Sequence, residues 1–143
     1  MTLRHATLSG LAQELASGRT TARALVEDGL ARIEDTTGEG ARAFIRVDAI
    51  KGQVTCAGSR ALRDSPPATA DAPSVARLRR AGFILIGRAN MTEFAYSGLG
   101  INPHYGTPAS PWQRSERRVP GGSSSGSAVA VADGMAHGAL GTD

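Results

Sequence analysis

With 143 residues, 41% of them hydrophobic and 20% charged, the chain can bury one domain core and is too apolar for a disordered segment. Its net charge of +3 is spread over scattered arginines, densest at Arg77, Arg79 and Arg80 and again at Arg114, Arg117 and Arg118, and aromatic residues make up only 4%. A nucleic-acid surface wants basic side chains on one face with aromatics among them, so no direct nucleic-acid partner is expected. No apolar run approaches the roughly 20 residues of a membrane helix, and the amino terminus has no apolar leader core. The single cysteine, Cys56, permits no intrachain disulfide. The expectation is a cytoplasmic protein without membrane contact.

Leu8, Leu11 and Leu15 recur at helical spacing, and Gly18 closes that helix. Thr20 or Thr21 caps a second helix with apolar positions Ala22, Leu25, Val26, Gly29, Leu30 and Ile33, and Gly38 and Gly40 then mark a turn. A short strand is predicted from Ala43 to Val47. From Asp48 to Asp71 the pattern is irregular, and Pro66 and Pro67 force an extended loop. Asp71 is the predicted cap of a third helix that carries Val75, Leu78 and Ala81 and ends at Gly82. The apolar run Phe83 to Ile86 follows at once. Helix, glycine and apolar strand in succession predict a buried, parallel sheet. A helical turn is predicted near Met91 to Tyr96 and a loop with four prolines from Asn102 to Pro120. A helix then runs through Ala132; its segment Ala128 to Ala132 is apolar all round and so expected to be buried. Ala139 to Thr142 reads as the start of another strand. With no repeat and no linker, the fold class is α/β, a mixed, largely parallel sheet flanked by helices.

The densest chemistry is in Pro120-Gly121-Gly122-Ser123-Ser124-Ser125-Gly126-Ser127. Glycines there let backbone approach backbone or ligand, and serine hydroxyls can cap a helix, act as nucleophiles or relay a proton. Together with Gly87-Arg88-Ala89-Asn90-Met91-Thr92-Glu93-Phe94-Ala95, Asn102-Pro103-His104-Tyr105-Gly106-Thr107-Pro108, Thr55 with Ala57-Gly58-Ser59, and Gly141-Thr142-Asp143, the chain resembles the amidase signature family, including its amidotransferase A subunits that amidate misacylated tRNA. The motifs stand in family order; Ser125 occupies a position where the family has glycine.

The resemblance implies hydrolysis or transfer of linear amides by a Ser–Ser–Lys relay, with no metal and no organic cofactor. A serine hydroxyl needs an adjacent base, and a lysine serves if burial depresses its pKa. The relay serine, which follows a cis peptide bond in the family, corresponds to Ser123; Gly121, Gly122, Ser124, Asn90 and Asp143 correspond to substrate-side or loop positions. The family nucleophile and its oxyanion donors follow the residue matched by Asp143, outside these 143 residues. The only lysine, Lys51, lies four residues before Thr55, closer than the family base to that turn. The resemblance therefore points away from Lys51 as the base without closing that alternative, and arginine cannot serve instead. A few tens of residues, including the approach to the base, are expected to be missing between Val47 and Ile50. The chain reads as a single incomplete amidase-signature domain over 1–143, the amino-terminal part, inactive alone.

Other residues carry weaker signals. Ser123 can cap a helix as well as relay a proton, and Ser124, Ser125 and Ser127 suit structural roles. Asn90 and Glu93 can orient loops; His104 beside Tyr105 can border a cleft; Met91, Phe94 and Tyr96 can line an acyl channel or pack a core. His5, His104 and His137 are too scattered for a metal site. Cys56 has no indicated histidine partner. Two alternatives compete with the amidase reading. A phosphate-binding loop at Gly121 to Ser127 would need Gly-Lys-Ser/Thr after a strand, and no lysine follows position 51. A non-catalytic assembly module, completed by another chain or by a second copy, would account for apolar faces that want burial.

Overall fold

The computed structural model describes residues 6–46 and 52–142. Helix α1 (Leu8–Ala16) starts where the Thr7 hydroxyl accepts the Gly10 N–H at 3.1 Å. Helix α2 (Ala22–Glu34) starts the same way, at Thr21, whose hydroxyl accepts from Ala24 at 3.1 Å. Each cap satisfies a backbone donor that the first helical turn leaves orphaned. A turn leads into α3 (Gly40–Ala43), so Gly40 opens a short helix and is not part of the turn. Strand β1 (Phe44–Arg46) follows directly.

Helix α4 (Pro73–Arg80) has Pro73 at its first position, where the missing N–H costs nothing. Asp71 does not cap it. The cap residue is Ala72, and the Asp71 carboxylate pairs with Arg79 at 3.3 Å instead. The run Phe83 to Ile86 forms no strand; Phe83 and Ile84 are 46% and 57% exposed. A strand needs a neighbour for its backbone groups, and among the described residues none lies beside this run. Strand β2 is the pair that follows (Arg88–Ala89), antiparallel to β1 with Phe44 opposite Ala89 and Arg46 opposite Arg88. The described residues therefore hold one two-stranded antiparallel sheet, and not the larger parallel one expected.

Single 3₁₀ turns occupy Glu93–Ala95, inside the predicted helical turn, and Arg114–Glu116, inside the proline-rich loop. Helix α5 (Ser125–Ala132) packs its inner face on α3 and the sheet. Ile33, Ala43, Val129, Ala130 and Met135 form the core, with Leu30, Phe44 and Ile86 against it. Gly126 sets the distance between layers: its N–H donates to the Asn90 carbonyl at 2.9 Å, and any Cβ there would press into the Ala43 carbonyl. The outer face of α5 is open. Ala128, Val131 and Ala132 are exposed, contrary to the all-round burial expected, because among the described residues only a short terminal segment runs along that side. Residues 139–142 form no strand and cross this open side. No helix among the described residues is long and apolar enough to span a membrane.

Candidate active site

Ser123 sits just ahead of α5 and is 2% exposed. Its backbone is held on both sides. Thr92 N–H donates to the Ser123 carbonyl at 2.9 Å, and Gly122 N–H donates to the Gly98 carbonyl at 2.7 Å. The peptide bond between Gly122 and Ser123 is cis. A Cβ on Gly122 would lie 2.6 Å from Gly100 N, so two glycine backbones pass each other with no room for side chains. Gly121 stands just before this crossing at φ 79.

The serine hydroxyls face the segment 140–142. Ser123 Oγ lies 3.4 Å from Thr142 Oγ1. Ser124 Oγ accepts the Thr142 N–H at 2.9 Å and donates to the Thr142 carbonyl at 3.3 Å. Ser127 Oγ donates to the Leu140 carbonyl at 2.7 Å. None of these hydroxyls caps α5: the cap position belongs to Ser124, whose side chain makes no capping bond. Ser125, the residue in the family's glycine position, is fully buried, and its hydroxyl has no partner among the described residues. Asp143 and Lys51 lie outside the described residues.

Asn90 and Asn102 brace this arrangement from behind. Both amide hydrogens of Asn90 are engaged by backbone, donating to the Arg42 carbonyl at 2.9 Å and the Gly106 carbonyl at 2.7 Å, while its oxygen accepts Met91 N–H at 2.8 Å. Asn90 thus ties α3, β2, α5 and the 102–110 loop together and offers no free group to a ligand. Asn102 donates to the carbonyls of Gly58 and Met91 at 2.8 and 2.7 Å and accepts from His104 and Tyr105. Sequence patterns alone give Asn102 no role of its own. The Asn-Pro pair that opens its turn is the local signal, since asparagine bonds its own backbone two residues on. Glu39 braces the far side of the same loop: it receives two Arg42 hydrogen bonds at 2.7 and 2.9 Å and the Ala109 N–H at 3.2 Å. Burial works to raise the Glu39 carboxyl, but Arg42, Ala109 and the charge of Arg114 outweigh it and hold it below the usual carboxylate range.

The third group centres on Glu93. Its Oε1 accepts the Ser59 hydroxyl at 2.5 Å and lies 3.0 Å from His104 Nε2. The Ser59 hydrogen bond, aided by His104 and opposed by desolvation, holds the Glu93 carboxyl below its ordinary value. The two residues after it, Phe94 and Ala95, have φ of 54 and 56, a left-handed conformation that costs an L residue about 1–2 kcal/mol. They follow two anchors, the Glu93 carboxylate and the Phe94 N–H, which donates to the Ala57 carbonyl at 2.8 Å.

Two hydroxyls in line, Ser123 and Thr142, can pass a proton along but cannot draw one from a nucleophile, because neither is a base near neutral pH. The site as described is a pair of positioned hydroxyls with no base within hydrogen-bond distance among the described residues. Among the described residues no group of three or more His, Cys, Asp or Glu is placed to hold a metal ion.

Comparison with known proteins places this architecture. Residues 48–143 match the family model described as Amidase. The chain is 54% identical over 71 residues to the 2-amino-5-chloromuconic acid deaminase of Comamonas testosteroni, a match covering 50% of this chain and 15% of that protein. It is 39% identical over 163 aligned residues to the AtzE subunit of the 1-carboxybiuret hydrolase of Pseudomonas sp. (strain ADP), covering 90% of this chain and 35% of the relative. It superposes on the A subunit of the glutamyl-tRNA(Gln) amidotransferase of Thermotoga maritima with a TM-score of 0.73 at 26% identity, over 94% of this chain and 33% of the other. The chain thus spans between 15% and 35% of the length of these proteins. With its α/β elements, its motifs and the match over 48–143, the chain belongs to the amidase family.

Proposed function

We propose that residues 1–143 supply the relay-serine part of an amidase-signature active site, with Ser123 as the relay. The whole domain would hydrolyse or transfer a linear amide through an acyl-enzyme, with no metal or organic cofactor. The observation that carries this reading is the contact between the two motif halves: Ser123 Oγ stands 3.4 Å from Thr142 Oγ1, while Ser124 grips the Thr142 backbone. A nucleophile following that segment would be delivered to the Ser123 hydroxyl. The base and the oxyanion donors are not among the described residues, and on this reading residues 1–143 alone do not hydrolyse amides. Removing even one oxyanion donor costs roughly 3–4 kcal/mol of transition-state stabilisation.

The same reading treats the chain as one incomplete domain that lacks the approach to the base near 47–50. The alignment with the carboxybiuret hydrolase relative supports it: 163 aligned residues take in only 90% of a chain of 143, so the relative carries positions with no counterpart here. A mixed, largely parallel sheet would then belong to the complete domain, with Phe83 to Ile86 as one of its strands. Its single cysteine suits a reducing compartment such as the cytoplasm.

The test is ammonia release from a panel of simple amides and glutamine. The purified chain is expected to release none above blank. Release that disappears in both Ser123→Ala and Lys51→Ala would overturn the proposal and make Lys51 the base.

A second reading is favoured by the open groove along α5, whose lining is mostly apolar, Ala128, Val131, Ala132 and Ala139 among it, with Ser124 and Ser127 at its edge. On it the chain is an assembly module whose exposed apolar strip is covered by further polypeptide. Sedimentation of the pure chain tests it; a strictly monomeric chain whose mass is unchanged with concentration counts against self-association.

A further inference from the structure

We propose that Glu93 is a positioning residue for Ser123, because its carboxylate pins the segment that grips the backbone on both sides of the Gly122–Ser123 bond. The functional meaning rests on Ser123 as the relay; the geometry does not.

The grip is made of two hydrogen bonds, Thr92 N–H to the Ser123 carbonyl and Gly122 N–H to the Gly98 carbonyl. Both come from the segment 92–98, and Thr92 Oγ1 closes that segment on itself by donating to the Ser97 carbonyl at 3.1 Å. Nothing in the segment's own sequence favours its shape, since Phe94 and Ala95 are non-glycine residues in left-handed conformation. Its shape is imposed from outside. Glu93 receives Ser59 from the turn at 57–59 and His104 from the loop at 102–105, and these two supports are themselves tied, Tyr105 hydroxyl donating to the Ser59 carbonyl at 3.3 Å and Arg60 to the His104 carbonyl at 2.8 Å. His104 is the titratable group in contact with Glu93 among the described residues, and Tyr105 and Arg60 are tied to the backbone of its two partners. Ser59 is fully buried, so its hydroxyl has no water to turn to if the carboxylate is removed.

A carboxyl held below its ordinary value stabilises the folded arrangement above its ordinary titration range and loses that contribution as pH falls through the folded value. The grip should therefore loosen on acidification, and only if Glu93 is the group that sets it.

Residue-resolved amide hydrogen exchange on the full chain tests this, with the Asp133 N–H, which donates to the Val129 carbonyl in α5, as the internal reference. Glu93→Ala should lower protection of Thr92 and Gly122 about tenfold or more with Asp133 unchanged. Glu93→Gln, whose amide oxygen still accepts from Ser59, should keep near-native protection at neutral pH. It should also lack the loss that the native chain shows as pH falls below about 5. Unchanged protection in Glu93→Ala, or loss at Thr92, Gly122 and Asp133 together in every variant, would overturn the proposal, as would the same acid dependence in Glu93→Gln. These results do not depend on whether Ser123 relays protons, so a failed ammonia assay and a failed exchange experiment point to different errors.

Discussion

The two faces of α5 meet opposite surroundings. On the inner face, Ser125, Gly126, Val129 and Ala130 are buried against β1, β2 and Asn90, and the polar groups there, Asn90 and the Gly126 N–H among them, are matched, the Ser125 hydroxyl excepted. On the outer face, Ala128, Val131 and Ala132 are bare, and only the segment 139–142, held by three serine hydrogen bonds, lies near them. The helix has almost no polar side chain, so composition does not separate its faces; the difference lies in what is packed on each. The inner side reads as finished structure, and the outer carries the open strip on which the assembly proposal rests.

Substitutions on the two faces should therefore differ sharply. The largest effect is expected at Gly126: Gly126→Ala drives a methyl into the Ala43 carbonyl and the Asn90 backbone, and should cost about 3 kcal/mol or more, whereas Ala128→Ser on the opposite face should stay within about 0.5 kcal/mol in urea denaturation. Equal costs at the two positions would erase the distinction. Next is Asn90→Ala, which leaves the Arg42 and Gly106 carbonyls and the Met91 N–H without partners; a loss of roughly 2–4 kcal/mol is expected by the same measurement.

Acid should act on the inner side through Glu39. Its carboxyl is held below the ordinary value in the folded chain, so its contribution is whole above the ordinary carboxylate range and drains away as pH falls through the folded value. Stability measured against pH should fall on the acid side less steeply in Glu39→Gln than in the native chain. The smallest effect belongs to Ser125. Because its buried hydroxyl has no partner, Ser125→Ala should be neutral or should stabilise by up to about 1 kcal/mol, and a clear destabilisation would show that the hydroxyl has found a partner.

Much of this inner structure was legible in the residues. The leucine spacing of α1 and the threonine ahead of α2 act locally, through one helix face and one hydrogen bond, and local rules find them; the Thr7 cap of α1 obeys the same rule but was not among the expectations. The serine loop was legible too, since glycines in that density imply close backbone crossings, and Gly122 passes Gly100. The apolar runs misled for a physical reason. Phe83 to Ile86 and the outer residues of α5 carry the composition of buried elements, but composition reports what a residue prefers and not whether a neighbour exists to bury it. Asp71 went astray because proline at the first helical position and a nearby Arg79 compete for the same carboxylate and backbone. The braces at Asn102, Ser59 and Glu93 join segments 11 to 44 residues apart, and no local pattern carries such pairings.

The most direct measurement of the central claim is made in a chimera: residues 71–143 replace the matching segment of a catalytically complete amidase-family enzyme, which keeps its own lysine and nucleophile. With Ser123 as the relay, the chimera releases ammonia from its substrate, and Ser123→Ala within it lowers kcat about a thousandfold or more with the fold intact. A Ser123→Ala chimera as active as its parent would contradict the assignment of Ser123 as the relay.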